Sequence, residues 1–278
     1  MAANGKTDNP KDETKKPEEP KEERIQTKHS VVIDGVTIAY TATAGTLLLK
    51  SEEGDAKASI FYIAYTRDDV KDTASRPITF SFNGGPGSSS VWMHLGMLGP
   101  RIVQMGENGR IDSRFTGADR DAAGEMFEYD PSISATQGLY TATLNDYLRR
   151  ELRFESDLPY EILTGLYLKW DYSKHQNQFL NVAETLRKTM SQNPYLKIFV
   201  ANGYYDLATP YFATEYTFNH LEIEPSLQQN ITMAWYEAGH MMYVHPPSLV
   251  QIKADMAAFI AGATDTDAKE PLGVLPVW

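Results

Sequence analysis

Two kinds of residue in this chain could do chemistry together: a glycine-rich turn that offers backbone amides, and an acid and a histidine standing just beyond apolar runs. The turn is Asn83-Gly84-Gly85-Pro86-Gly87, which follows the alternating run Ile78-Thr79-Phe80-Ser81-Phe82 and precedes Ser88-Ser89-Ser90. This pattern predicts a buried strand that stops where backbone must approach something closely, and such a turn can aim N–H groups at an anion. A plain corner between strand and helix is the other reading of the same glycines. Asp206 lies beyond the run Leu196 to Ala201, and His240 beyond Ile231 to Tyr236. Both runs fit parallel strands, and open α/β sheets build their sites at the carboxyl ends of such strands. Taken singly, Asp206 also fits a solvated turn aspartate and His240 a strand-end histidine.

The elements that would position these residues are short and alternate in type. Val31 to Ile33, Val36 to Thr43, Thr46 to Lys50 and Ala58 to Tyr65 are rich in β-branched and aromatic residues and are broken by Asp34-Gly35 and by Glu52 to Asp55. They predict an antiparallel meander leading into the Ile78 to Phe82 strand. Ser88 is placed to cap a helix through Val91, Trp92 and Leu95, with His94 as a core or groove residue. Gly106 to Gly109 reads as a turn, and Asp112 to Pro131 as an irregular loop anchored by Phe115 and Phe127. Helical spacing of apolar residues marks Tyr140 to Phe154, Gln178 to Ser191 and Ser248 to Ala261, with a further helix from Pro210 to His220.

Composition narrows the classes. The 278 residues are 42% hydrophobic, enough for one sizeable core, and the net charge of −11 argues against a nucleic-acid partner, which needs a basic face. There is no cysteine, hence no disulfide framework, thiolate nucleophile or cysteine-held zinc. No run is long enough to span a membrane. The first 28 residues, dominated by Lys, Glu, Asp, Pro and Asn, predict a disordered charged tail and lack the apolar core of a signal peptide.

Three blocks in order carry a resemblance to a known family. They are Asn83 to Ser90 with Leu98-Gly99-Pro100, then Ala201-Asn202-Gly203-Tyr204-Tyr205-Asp206-Leu207-Ala208-Thr209-Pro210, then Glu237-Ala238-Gly239-His240-Met241-Met242-Tyr243. Together they resemble the serine carboxypeptidase family, α/β-hydrolases that remove C-terminal residues from peptides. The resemblance covers roughly residues 30 to 262 and is closest to the cysteine-poor bacterial branch. It implies that Asp206 orients His240 as acid and base of a triad, in the order of acid before histidine. It further implies that Gly84-Gly85 forms the oxyanion hole, with the Gly85 amide as donor, and that Asn83 and Gly84 hold the substrate's terminal carboxylate. Peptide or protein C-termini would be the substrates, with no cofactor and no metal, and an exported or periplasmic location is favoured. His245, in Val-His-Pro-Pro, lies outside the histidine block and reads as structural.

Acyl transfer needs a nucleophile besides the base, the orienting carboxylate and the oxyanion donors. The family's serine sits in a strained elbow of the form Gly-x-Ser-x-Gly, or Gly-Glu-Ser-Tyr, and neither occurs in this chain. By the resemblance, elbow and cap would fall between Gly99-Pro100 and Arg110 to Phe115, where a single short turn stands. Met97 also replaces a carboxylate that often assists in binding the substrate's terminus. The expected fold is therefore α/β, with an α/β-hydrolase-like sheet left incomplete by deleted central strands. Its domain would run from 29 to 278, with the oxyanion turn in 29–106 and the acid and histidine in 107–278. Two functions follow: a serine carboxypeptidase-type hydrolase that lacks its catalytic serine, or a catalytically dead hydrolase that serves as a peptide-binding or scaffold protein.

Overall fold

The computed structural model describes residues 21–85, 87–104 and 131–264. These form a mixed helix-and-strand chain that divides into two compact units, the described residues within Met1–Lys71 with Asp146–Asp157, and those within Asp72–Asn145 with Leu158–Trp278. The sheets are separate, one of three strands and one of two.

The first unit is an antiparallel meander of β1 (Arg24–Ile33), β2 (Val36–Lys50) and β3 (Ala56–Arg67) in the order β1-β2-β3. Asp34 and Gly35 turn the first hairpin with φ of 49° and 78°, so both central residues take the left-handed conformation that matches the strands' twist. Half-buried Ile25, Thr27, His29 and Val31 alternate with exposed neighbours along β1. That alternation corrects the tail boundary at residue 28. The period of two runs back to Ile25, which pairs with Ala44, and its ladder holds Arg24 and the residues after it in the sheet. Residues 1–20 lie outside the described residues. β2 is continuous through Gly45 rather than two runs, and its centre from Tyr40 to Gly45 is buried. Against β3 the rings of Phe61 and Phe154 stand 5.0 Å apart, and the Tyr65 and Tyr147 hydroxyls are hydrogen-bonded at 3.0 Å. Burial, with the Tyr147 hydroxyl, pushes the Tyr65 phenol well above its ordinary range.

The second unit holds α1 (Val91–Met93), which continues as a π-helical turn over His94–Leu98, then α2 (Pro131–Asp146) and α3 (Ala183–Gln192). There follow β4 (Ile198–Gly203), α4 (Tyr211–Asn219), α5 (Pro225–Gln228), β5 (Ile231–Tyr236) and α6 (Pro246–Thr264). α3 presents Ala183, Leu186 and Met190 to a core with Leu221, Ile223, Phe218 and the first residues of both strands. Around α1, the Trp92 and Tyr140 rings lie 4.7 Å apart, and burial raises the Tyr140 phenol to about 12. The Tyr236 hydroxyl donates to Asp255 Oδ2 at 2.9 Å, tying α6 to the end of β5. β4 and β5 are parallel neighbours in register from Ile198↔Ile231 to Gly203↔Tyr236. Parallel strands are ordinarily covered on both faces, yet most residues here are only half-buried.

Two further expectations fail. Residues 78–82 form no strand, and Ile78, Phe80 and Phe82 are 78%, 71% and 78% exposed. The alternation is genuine, but a strand needs a ladder, and among the described residues none runs beside it. Ser88 caps no helix; it forms an isolated antiparallel bridge with Leu163. Instead Asn83 Oδ1 accepts the Met93 amide at 3.3 Å at the start of α1. The turn at 106–109 and the internal boundary after residue 106 lie outside the described residues, as does the loop expected from 112 apart from Pro131, which opens α2.

Candidate active site

The site is built where β4 and β5 end side by side. β4 closes on Gly203, and a Cβ there would stand 2.5 Å from the Gly239 carbonyl oxygen and 2.6 Å from that of Ala238. Only glycine lets the loop after β5 press so closely on the end of β4. The loops are then stitched together: the Tyr204 amide donates to Tyr236 O and the Tyr205 amide to Ala238 O, both at 3.0 Å. This carries Asp206 and His240 to the same point above the strand ends.

Asp206 is enclosed, with 4% of its side chain exposed. Oδ1 accepts the amides of Ala208 and Thr209, each at 2.9 Å. Oδ2 accepts the Thr209 hydroxyl at 2.6 Å and His240 Nδ1 at 2.9 Å. Burial pushes this carboxyl up, but the Thr209 hydroxyl, the Thr209 amide, His240 and the Ala208 amide favour the anion more strongly and hold it at about 2. An ionised carboxylate only accepts, so the hydrogen bond assigns the proton to Nδ1 and leaves the lone pair of the neutral ring on Nε2. The imidazole is 61% exposed, and Nε2 bonds to no described residue. The pair is thus a carboxylate-oriented imidazole whose basic nitrogen faces outward.

The glycine turn is built for its own corner. A Cβ on Gly85 would stand 2.8 Å from Gly87 N and 2.9 Å from Ser88 N, so only glycine fits this bend. Gly87 has φ of 102°, and its carbonyl accepts the Thr164 amide at 2.9 Å, while the Ser89 amide donates to Ile162 O at 2.9 Å. The Asn83 amide donates to Ser90 Oγ at 3.3 Å, while Asn83 Oδ1 accepts the Met93 amide at 3.3 Å. The structure therefore joins Asp206 with His240 directly, while Asn83 is held by Ser90 and Met93. Among the described residues no hydrogen bond links Asn83, Gly84 or Gly85 to Asp206 or His240.

Thr209 belongs to the site and was not singled out from the sequence. Its signal was available: an aspartate that accepts amides two and three residues on is an Asx-type turn, and Asp206 to Thr209 has that spacing. Of the other histidines, His245 Nδ1 pairs with Ser248 Oγ at 2.8 Å at the start of α6. His94 is held by burial at about 4. Among the described residues no group of three His, Asp or Glu side chains could hold a metal ion, and no helix is long and apolar enough to cross a membrane. Compared with protein-family models, curated proteins and solved structures, the chain matches none.

Proposed function

We propose that the chain carries the acid–base half of a serine carboxypeptidase-type α/β-hydrolase site, in a sheet that lacks the strands and elbow of the nucleophile. The observation that carries this reading is the 2.9 Å contact between Asp206 Oδ2 and His240 Nδ1 at the adjoining ends of parallel strands. A carboxylate on Nδ1 fixes the tautomer that a base needs and stabilises the imidazolium formed when Nε2 takes a proton. The Gly84-Gly85 turn is the oxyanion element of this reading, and peptide C-termini are its substrates. Without a nucleophile, only binding and electrostatic contributions remain, on the order of 10³ to 10⁴ over water in the serine protease template. Peptide turnover is accordingly absent, while an activated ester still meets an exposed base.

The test uses three readouts on the full chain. p-Nitrophenyl acetate should be hydrolysed above background, with the excess lost in His240→Ala and reduced in Asp206→Asn. A fluorophosphonate probe should label no serine, and a blocked dipeptide should release no C-terminal amino acid. Ester hydrolysis indifferent to His240→Ala would remove the base from the proposal, and serine labelling with His240-dependent peptide release would mean that a nucleophile is present after all.

A second reading, peptide-carboxylate binding without catalysis, is favoured by Asn83, whose Nδ2 donates to no described residue. It requires preference for a peptide with a free C-terminus over its amide, lost in Asn83→Asp. Equal affinity for both peptides would dismiss it.

A further inference from the structure

Residues 78–82 form no strand of their own, yet they carry a strand's alternation and are exposed throughout. Ile78, Phe80 and Phe82 are 78%, 71% and 78% exposed, and pairing as a strand would bring these alternate side chains onto one face. The five residues are all exposed and make no hydrogen bond to any described residue, so among the described residues nothing competes for their backbone donors and acceptors. Their pattern says which partner fits. Laid antiparallel on a second copy and centred on Phe80, the run sets Phe80 opposite Phe80, Ile78 opposite Phe82 and Thr79 opposite Ser81. Aromatic–aromatic, aromatic–β-branched and hydroxyl–hydroxyl pairs are the stabilising cross-strand types, and this single register makes all of them at once. Charge agrees with it. Two copies at net charge −11 repel each other, but no residue from Pro77 to Ser90 is charged, so they meet here at least electrostatic cost. An exposed strand without gatekeeping charge is the kind of edge that another chain pairs with.

We infer that residues 78–82 form a self-recognition strand through which two copies of this chain associate, antiparallel and in register about Phe80. The ribbon so formed is isologous: each copy gives and receives the same contacts. This inference is independent of the proposed chemistry at His240. Because the repulsion it overcomes is screened by salt, association strengthens as ionic strength rises.

The chain has no native cysteine, so introduced thiols report the register directly. Under mild oxidation Phe80→Cys should form a disulfide dimer, since directly opposed residues lie within disulfide reach. Ile78→Cys alone should stay a free thiol, whereas an equimolar mixture of Ile78→Cys and Phe82→Cys should form the mixed dimer. Sedimentation of the unsubstituted chain should show a dimer that grows with concentration and salt and is lost in Phe80→Lys. A monomer at all concentrations overturns the inference. So does equal cross-linking at 78, 80 and 82, which means collapse without register, or none at 80 in a chain that still dimerises, which means pairing with another strand.

Discussion

The hydroxyl of Thr209 and the imidazole of His240 converge on one oxygen, Oδ2 of Asp206, at 2.6 Å and 2.9 Å. The two amides on Oδ1 complete a carboxylate with four donors, three of them supplied within three residues of Asp206 itself. The local turn thus preforms an acceptor, and the loop after β5 only has to deliver the ring. Thr209 Oγ1 also lies 3.4 Å from His240 Nδ1, too long for more than a weak contact. Its main effect on the ring runs through the carboxylate.

Replacing Thr209 by Val keeps the shape and the backbone amide but removes the hydroxyl. Hydrogen bonds to charged groups contribute roughly 1.5–3 kcal/mol, so the variant should lose about 2 kcal/mol in urea unfolding. The Asp206 carboxyl should titrate above about 2, and Thr209→Ser should restore both properties. An unmoved carboxyl titration in Thr209→Val would show that the hydroxyl does not reach Oδ2 in solution.

The depressed Asp206 carboxyl also fixes an acid limb of stability. In the unfolded chain this group titrates near its ordinary value of 3.8, and in the folded chain near 2. Its contribution is present above 3.8 and is lost as pH falls through about 2, because the unfolded state binds the proton first. A shift of this size is worth about 2 kcal/mol. Asp206→Asn should flatten the decline of urea midpoint between these pH values, and a slope identical to that of the parent chain would count against the contact.

Much of the candidate dyad was legible because its carriers are locally determined. Ile198 to Ala201 and Ile231 to Tyr236 are β-branched, aromatic and bounded by turns, and the structure pairs them in parallel with Asp206 and His240 just beyond. The segment at 78–82 has the same local pattern, and it misled for a physical reason. Periodicity records which face of a strand is apolar, but burial depends on neighbours that no local pattern specifies. At β1 the error ran the other way: Arg24 and Gln26 read as tail because the exposed face of an antiparallel edge strand looks like any charged segment, and the ladder to β2 decided it. The position of the glycine turn depended on long-range pairing with 162–164, which nothing near Asn83 announces.

His94 gives a second pH window, distinct from that of Asp206. Burial lowers its imidazole from 6.5 to about 4, so the unfolded chain takes a proton that the folded chain refuses. Stability should therefore be full above about 6.5 and decline as pH falls toward 4, by roughly 1–3 kcal/mol. His94→Leu should remove this decline while leaving the lower limb. Thermal unfolding at pH 7 and pH 5 compares the two, and an equal drop in parent and variant would assign the window to another group.

Gly203 is the position at which fold and site are tested together. A methyl there would meet the carbonyls of Gly239 and Ala238 at 2.5 Å and 2.6 Å, and backbone atoms cannot step aside as a flexible side chain can. Gly203→Ala must push the loop after β5 away from β4, and His240 travels with that loop. Overpacking of this kind costs about 1–3 kcal/mol. Gly84 is the control, because nothing lies within 4 Å of a Cβ built on it. Gly84→Ala should leave the unfolding free energy in urea within about 0.5 kcal/mol of the parent, the usual range for a surface change. In a folded Gly203→Ala variant, the ester hydrolysis that depends on His240 should fall toward the level of Asp206→Asn, since both changes take the carboxylate from Nδ1. A Gly203→Ala chain with parental stability and rate would mean that the two loops do not close on each other as described, and the dyad would then need another origin.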